Sequence, residues 1–306
     1  MISIVVSVYN EEEVLRTFHE NLEGTIVENG LDAEIVYVND GSRDNSIHIL
    51  RELKSKSPNL VRVINFSKNF GHEAAMIAGI DYSRGKAVVC MDSDLQHPPS
   101  LIPSLVKKFE EGFDIVNMVR EKREDNGWLK NKLSGLFYRF INKLSDQKLQ
   151  ENASDFFLIS ERVVDVLRNN FRERNRFLRG FIQIIGFNKT TESFIAPKRP
   201  AGESKYSFLR LISLSVNAII SFSKFPLYLG IYFGLLFVVF SLVLSVYTLY
   251  VYFFGNTPPS GYTTLVLFMS ISFSILFILI GIIGVYVGYN FDESKKRPIY
   301  LIDSVI

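Results

Sequence analysis

Residues Lys86 to Phe109 read KAVVCMDSDLQHPPSLIPSLVKKF. KAVVC is a short apolar run of strand type, and PPSLIPSLVKKF carries helical spacing behind an opening pair of prolines. Between them Asp92 and Asp94 stand one residue apart, followed by Gln96 and His97. A polar turn at a strand end accounts for such acids as readily as a binding site does, and Asp-x-Asp alone is a weak pattern. What the pair means depends on the sheet that the strand joins.

Working outward, strand-like runs alternate with helix-like ones. ISIVVSV (2–8), EIVYVN (34–39), LVRVINF (60–66), KAVVCM (86–91) and DIVNMV (114–119) are separated by helical patterns over 11–29, 42–56, 72–83 and 99–112. Near-continuous Val and Ile mark strands buried on both faces, hence an α/β domain with a mostly parallel central sheet covered by helices. Ligands of such sheets lie at the carboxyl ends of the strands. The residues to inspect are therefore SVYNEE, NDGSRD, SKNFGH, DSDLQ and REKRED. The first turn lacks G-x-G-x-x-G, and no P-loop signature occurs, so a nucleotide here is held by side chains and a metal. At the mouth of this sheet, Asp-x-Asp fits a hard divalent cation, Mg²⁺ or Mn²⁺, that neutralises a departing diphosphate.

The 306 residues carry a net charge of +2, too little for the basic field of a nucleic-acid binder. The single cysteine, Cys90, excludes a disulfide framework. MISIVVSVYNEEE lacks a basic start and runs straight into acids, so it reads as a strand and not as a signal peptide. From Phe225 to Phe291 there is no charged residue, and the apolar runs 226–254 and 264–289 each exceed the ~20 residues that cross a bilayer as a helix. Lys198, Arg199, Lys205, Arg210 and Lys224 precede the first run and Lys295, Lys296 and Arg297 follow the second, while the GNTPPSGY loop has no cation. The positive-inside rule then predicts a multi-pass inner-membrane protein with both termini in the cytoplasm. Amphipathic spacing over SKYSFLRLISLSVNAIISFSKF predicts a helix along the inner leaflet. The expected organisation is a catalytic domain over 1–204, a juxtamembrane helix over 205–225, a two-helix hairpin over 226–291 and a cytoplasmic tail over 292–306. GIYFG and GVYVG, one on each span, and the apolar tail suit close packing within the hairpin or a homo-oligomer.

SVYNEEE, VNDGSRDNS, NFGHEAAMIAGID, MDSDLQHPP and GESKYS stand in the order found in family 2 glycosyltransferases of the GT-A fold. More narrowly, the chain resembles the polyprenyl-phosphate glycosyltransferases, which include bactoprenol glucosyltransferases and dolichol-phosphate mannosyltransferases. The resemblance covers essentially the whole chain, and it specifies fold and reaction class but not the sugar. It implies that Ser7, Tyr9 and Glu11 line the base and ribose pocket, with Tyr9 stacked on the ring. Asp40 would accept the imide N–H of uracil, and Lys68 would touch the nucleotide. Asp92 would reach ribose or sugar, Asp94 would ligate the metal, and the two acids together form the expected metal pair. Gln96 orients the sugar or the acceptor, and Arg120 and Arg123 bind phosphate from the loop after the fifth strand. Asp155 positions the acceptor or screens its charge. Arg199, Ser204 and Lys205 form a lipid-phosphate site. His97 reads as a turn residue, and His72 as either a neighbour of a helix cap or a structural residue. The chain departs from the family where Ser7 stands for a frequent proline and Phe157 for a frequent arginine. Those contacts are absent here or supplied elsewhere.

The expected activity is inverting transfer of a hexose, glucose from UDP-glucose first, to polyprenyl phosphate at the cytoplasmic face, with a separate flippase acting downstream. Mannose, galactose, N-acetylglucosamine and aminoarabinose remain as alternative sugars, and a membrane-tethered nucleotide-sugar binder without turnover remains as an alternative class. A transporter is disfavoured, since spans without ionisable residues offer no polar path.

Overall fold

The computed structural model describes residues 1–121, 153–174, 177–197, 225–254 and 261–306. The proposed lipid-phosphate residues Arg123, Arg199, Ser204 and Lys205 lie outside them, as does the expected juxtamembrane helix over 205–225 except for Phe225. The chain forms two compact units. One is the sheet domain, to which residues 297–306 return, and the other contains the pair of apolar helices.

The sheet has eight strands: β1 Ile2–Val8, β2 Ala33–Asn39, β3 Val61–Phe66, β4 Ala87–Asp92, β5 Ile115–Arg120, β6 Ala153–Ser160, β7 Lys189–Phe194 and β8 Ile302–Val305. Their order is β7-β5-β6-β4-β1-β2-β3-β8. β3, β2, β1 and β4 run parallel, joined by crossovers through helices α1 Leu15–Glu28, α2 Ser46–Lys56 and α3 His72–Tyr82. β1 is buried along its whole length, as a continuous Val/Ile run demands. β6 inserts antiparallel between β4 and β5, and β8 closes the far edge antiparallel to β3. The sheet is thus mixed but mostly parallel, as the Val/Ile runs predict.

After β4 the prolines start a 3₁₀ turn, Pro99–Leu101, which leads into α4 Ile102–Glu110. This helix is shorter than its sequence pattern suggests because a 3₁₀ turn absorbs the first residues. α5 Glu161–Asn170 and the short α6 Leu178–Ile184 follow β6.

Two glycines allow close approaches that hold these parts. A Cβ at Gly79 would lie 2.1 Å from Val5 Cγ1, so α3 rests on β1 only because that position has no side chain. Gly41 has φ +63° and faces the backbone of Lys68 and Asn69, where a Cβ would come within 2.4 Å of Lys68 carbonyl carbon.

In the second unit, helices α7 Phe225–Phe254 and α8 Tyr262–Ser294 are long and apolar enough to cross a membrane. Their candidate spans, Pro226–Val251 and Ile271–Ser294, each have a mean hydropathy of 2.5, and neither is buried within the protein. Leu235, Phe254 and Ile278 are all more than half exposed. A helix pair in a soluble core would hide such side chains, and these are not hidden.

Residues beyond the second helix do not end as a free tail. Ile302–Val305 is the eighth strand, with Ile64 opposite Val305 and Asn65 opposite Ser304. Four residues of period-2 pattern beside a long apolar helix gave no distinct strand signal.

Candidate active site

Asp92 ends β4, its side chain 23% exposed. Ser7 stands in register with it on β1 and donates a hydrogen bond to Asp92 Oδ1 at 3.3 Å. Asp155 arrives from the other side. Cys90 pairs with Phe157 across the antiparallel β4–β6 ladder, so two residues forward on β4 and two back on β6 bring Asp92 and Asp155 together. His72, the first residue of α3, lies between the two acids. Its Nδ1 is 3.5 Å from Asp92 Oδ1 and 3.0 Å from Ser7 Oγ, and its Nε2 is 3.6 Å from Asp155 Oδ2. Arg179, at the start of α6, closes the group with Nε 2.8 Å from Asp155 Oδ1.

The charges explain one another. Burial alone would lower the pKa of His72, but Asp92, Asp155 and Glu73 outweigh it and raise the imidazole to about 10. At neutral pH His72 is a cation between two carboxylates. Burial disfavours the charged form of Asp155, yet Arg179 and His72 prevail and hold its carboxyl well below the ordinary range. Glu73, next to His72, moves the opposite way, raised by burial and by Asp155, and accepts the Leu178 N–H at 2.9 Å.

The turn after β4 is built on a strained residue. Leu95 has φ +61°, which costs an apolar side chain about 1–2 kcal/mol, and its packing against the core holds it there. Asp94 Oδ1 accepts the Gln96 N–H at 3.0 Å within this turn. His97 is not a simple turn residue. It is fully buried, stacked on Phe156 at 5.3 Å between ring centroids, and its Nδ1 accepts the Asp92 N–H at 2.9 Å. Burial keeps its pKa low and the ring neutral, so the ring proton sits on Nε2 and points to Ser154 Oγ, 2.8 Å away. Arg120, at the end of β5, packs against the same nitrogen with Nη2 at 2.9 Å, and its Nη1 lies 3.5 Å from Gln96 Oε1. One imidazole therefore ties together the ends of β4 and β6, and Arg120 reaches the same turn from β5 through Gln96.

The other half of the mouth is made by β1, β2 and β3. Tyr9 is 38% exposed there, ahead of Asn10 at φ +55°. Glu11 follows, with its N–H donated to Ser46 Oγ at 3.0 Å. Asp40 is 2% exposed. It accepts the N–H groups of Phe70 (2.6 Å) and Gly71 (3.0 Å) and the side-chain amide of Asn69 (2.9 Å). Burial raises its pKa against the pull of those amides. Capping the next helix is left to Asp44, whose Oδ1 accepts the Ser46 N–H at 3.0 Å. Lys68 is exposed, with its ammonium 5.2 Å from the centre of the Phe70 ring.

Of the residues singled out from sequence, Ser7 and Asp92 meet directly, and Asp155 joins them through His72. Asp94, Gln96 and Arg120 share the adjoining turn, and Tyr9, Glu11, Asp40 and Lys68 line or support the β1–β3 half. His72, His97 and Arg179 were missed as members of the site. HPP and FLRG carry no spacing signal that reaches across the chain.

Residues 3–168 match the family model described as "Glycosyl transferase family 2". The chain belongs to glycosyl transferase family 2. This glycosyltransferase is 36% identical over 305 residues to the prophage bactoprenol glucosyl transferase homolog of Escherichia coli K12, covering 99% of both chains. It is 37% identical over 302 residues to the bactoprenol glucosyl transferase of Shigella phage SfV, covering 98% of this chain and 97% of that one. A solved structure of glucosyl-3-phosphoglycerate synthase from Mycobacterium tuberculosis, in complex with Mn²⁺, UDP-glucose and phosphoglyceric acid, is similar with a TM-score of 0.48. That similarity has 18% identity and covers 72% of this chain and 77% of that one.

The glycosyltransferase offers a donor set for a divalent ion that includes Asp92 of the pair read from the motif. One ligand atom each from His72, Asp92 and Asp155 lies within 4.8 Å of the others. Two carboxylates and an imidazole suit Mn²⁺ well, and the carboxylates alone suit Mg²⁺. Asp94 stands outside this group. Full use of the set requires His72 to give up its proton, so a metal and a proton compete for the same centre.

Proposed function

We propose that this glycosyltransferase moves a hexose, glucose from UDP-glucose first, to polyprenyl phosphate at the cytoplasmic face of a membrane, with inversion at the anomeric carbon. The observation that carries this reading is the Asp92–His72–Asp155–Arg179 cluster at the carboxyl mouth of the sheet. The bactoprenol names of the relatives and the two exposed apolar helices support a lipid acceptor.

In the proposed step an acceptor phosphate oxygen forms a bond to the anomeric carbon. The bond from that carbon to the donor diphosphate breaks, and its electron pair leaves with the nucleoside diphosphate. The attacking group is a phosphate monoester, already ionised near neutral pH, so no strong base is needed. Asp155 agrees with this, because Arg179 and His72 hold it ionised and make it a poor proton acceptor. Its role is to position the acceptor and fix the local charge. A divalent cation held by Asp92 and Asp155, with His72, would neutralise the charge growing on the leaving diphosphate. Asp94 and Gln96 shape the sugar side from the strained turn, and Arg120 meets phosphate, for which a guanidinium fork is suited. Ser7, Tyr9, Glu11 and Lys68 take the nucleotide, while Asp40 acts from behind by fixing residues 69–71. Arg123, Arg199, Ser204 and Lys205 meet the lipid phosphate by their place in the sequence.

Chain connectivity supports two crossings. Residues 297–306 belong to the sheet domain, so both flanks of the apolar pair lead back to it, and an even number of spans satisfies that. A sugar attached on this side requires a separate flippase before use outside.

The test is transfer of radiolabelled sugar to extractable undecaprenyl phosphate by the full chain in lipid, with UDP-glucose, UDP-galactose, UDP-N-acetylglucosamine and GDP-mannose in parallel and a chelator control. Glucolipid from UDP-glucose, lost on chelation, is expected, with its anomeric configuration read by NMR. No lipid-linked product from any donor refutes the activity, and turnover that survives chelation refutes the metal.

A further inference from the structure

The segment from Ile299 to Ile306, which follows the second apolar helix, is bonded to the sheet at more points than edge protection needs. Val63 and Ile306 exchange both backbone hydrogen bonds, at 3.0 and 2.8 Å, and the Ser67 N–H donates to Leu301 O at 3.0 Å. Tyr300 stacks on Phe66 with ring centroids 5.2 Å apart and planes 9° from parallel. Its hydroxyl donates to Asp81 Oδ2 at 2.6 Å, on the last turn of α3. Arg172 grips the same carboxylate with contacts of 2.9 and 3.0 Å. Tyr300 therefore touches β3 just before residues 67–71, and it also holds the far end of α3, the helix that follows them. Lys68 lies inside that stretch, and His72 opens the helix.

A second line of bonds starts at Asp303. Its Oδ2 accepts from Asn65 Nδ2 at 3.1 Å, and Asn65 Oδ1 accepts from Asn39 Nδ2 at 2.7 Å. Asn39 Oδ1 accepts the Ser42 hydroxyl, and Ser42 Oγ accepts the Asn10 N–H at 3.0 Å. Every donor in this row points toward β8. A carboxylate only accepts, so Asp303 sets which way the Asn65 amide faces, and through it the Asn39 amide, as far as the turn between Tyr9 and Glu11.

We infer that Tyr300 and Asp303 are positioning residues for the donor-binding half of the site, so that the last eight residues of the chain tune affinity for the nucleoside diphosphate. The inference rests on the reading of the β1–β3 mouth as the nucleotide side. Neither residue touches the reacting atoms. Tyr300 acts through Phe66 and Asp81, and Asp303 acts through Asn65.

The test uses the full chain in detergent with Mn²⁺ and UDP as the probe. Tyr300→Phe keeps the ring stack and loses the hydroxyl bond, and Asp303→Asn keeps the shape but can present a donor where an acceptor stood. Each lost or misdirected hydrogen bond is expected to weaken UDP binding by roughly three- to tenfold. Hydrogen exchange should quicken in peptides covering 64–72, while KM for polyprenyl phosphate stays unchanged. Unchanged UDP affinity and unchanged exchange at 64–72 in both variants overturn the inference. Equal losses for both substrates that follow a lowered Tm also overturn it, since that is general destabilisation. A wild-type chain that binds neither UDP nor GDP refutes the nucleotide-side reading instead, and the exchange measurement still decides whether Tyr300 and Asp303 hold the loop.

Discussion

Asp155→Asn keeps the shape of the side chain and removes its charge, and its clearest consequence falls on His72. In the native protein the imidazole nitrogen Nε2 lies 3.6 Å from Asp155 Oδ2, and the surrounding carboxylates push the ring up to about 10. Two unit charges at that distance interact by ~4.6 kcal/mol at an effective dielectric of ~20, or roughly three decades in proton affinity. The His72 side chain is 39% exposed, and solvent screening removes about half of that. The midpoint of His72 is therefore expected to fall from about 10 to ~8.5 in the variant, with Asp92 keeping it above the ordinary ~6.5. The chain has four histidines, so ¹³C-histidine labelling and NMR titration in EDTA resolve the ring directly. The sign of the stability effect follows. A raised native pKa gives stabilisation that is complete below ~6.5 and fades as pH rises through about 10. Asp155, depressed, contributes above its ordinary range and loses that contribution in acid. A wild-type His72 that titrates near 6.5, or one unmoved by Asp155→Asn, refutes the charge cluster.

Saturating Mn²⁺ should lower the His72 midpoint as the ion competes with the proton, and a diamagnetic substitute that accepts imidazole, such as Zn²⁺, lets NMR follow it; no movement removes His72 from the metal set. Asp92→Asn and Asp155→Asn should each weaken Mn²⁺ binding at least tenfold by calorimetry, whereas Asp94→Asn should weaken it less; the reverse ranking restores the pair read from the motif. Gly79→Val presses a side chain onto Val5, where even a Cβ would meet a methyl at 2.1 Å, and costs about 1–3 kcal/mol or more. Its Tm should drop by roughly 5 °C with a loss of transfer activity, and an unchanged Tm contradicts the packing described. A cysteine introduced at Thr257 in a Cys90→Ala chain should react with an impermeant thiol reagent added outside intact cells, and protection there contradicts the proposed orientation.

Residue order alone determined a good deal of this molecule. Val and Ile runs separated by helical spacing gave the α/β layers, because strands covered on both faces tolerate no polar alternation. The carboxyl ends of those strands located the mouth, and the absence of charge from Phe225 to Phe291 marked the apolar helices. Such signals are local, readable within one or two turns of chain. Only the tertiary structure decided which acids meet. Asp94 is two residues from Asp92 in sequence yet stands outside its cluster, whereas Asp155 joins it because β6 runs antiparallel to β4. The charge on His72 likewise depends on three acids and a degree of burial that no motif encodes. Tyr300 meets Asp81 across 219 residues of sequence. Side-chain bonds form between neighbours in space, and chain order fixes those neighbours only where an element repeats with a regular period.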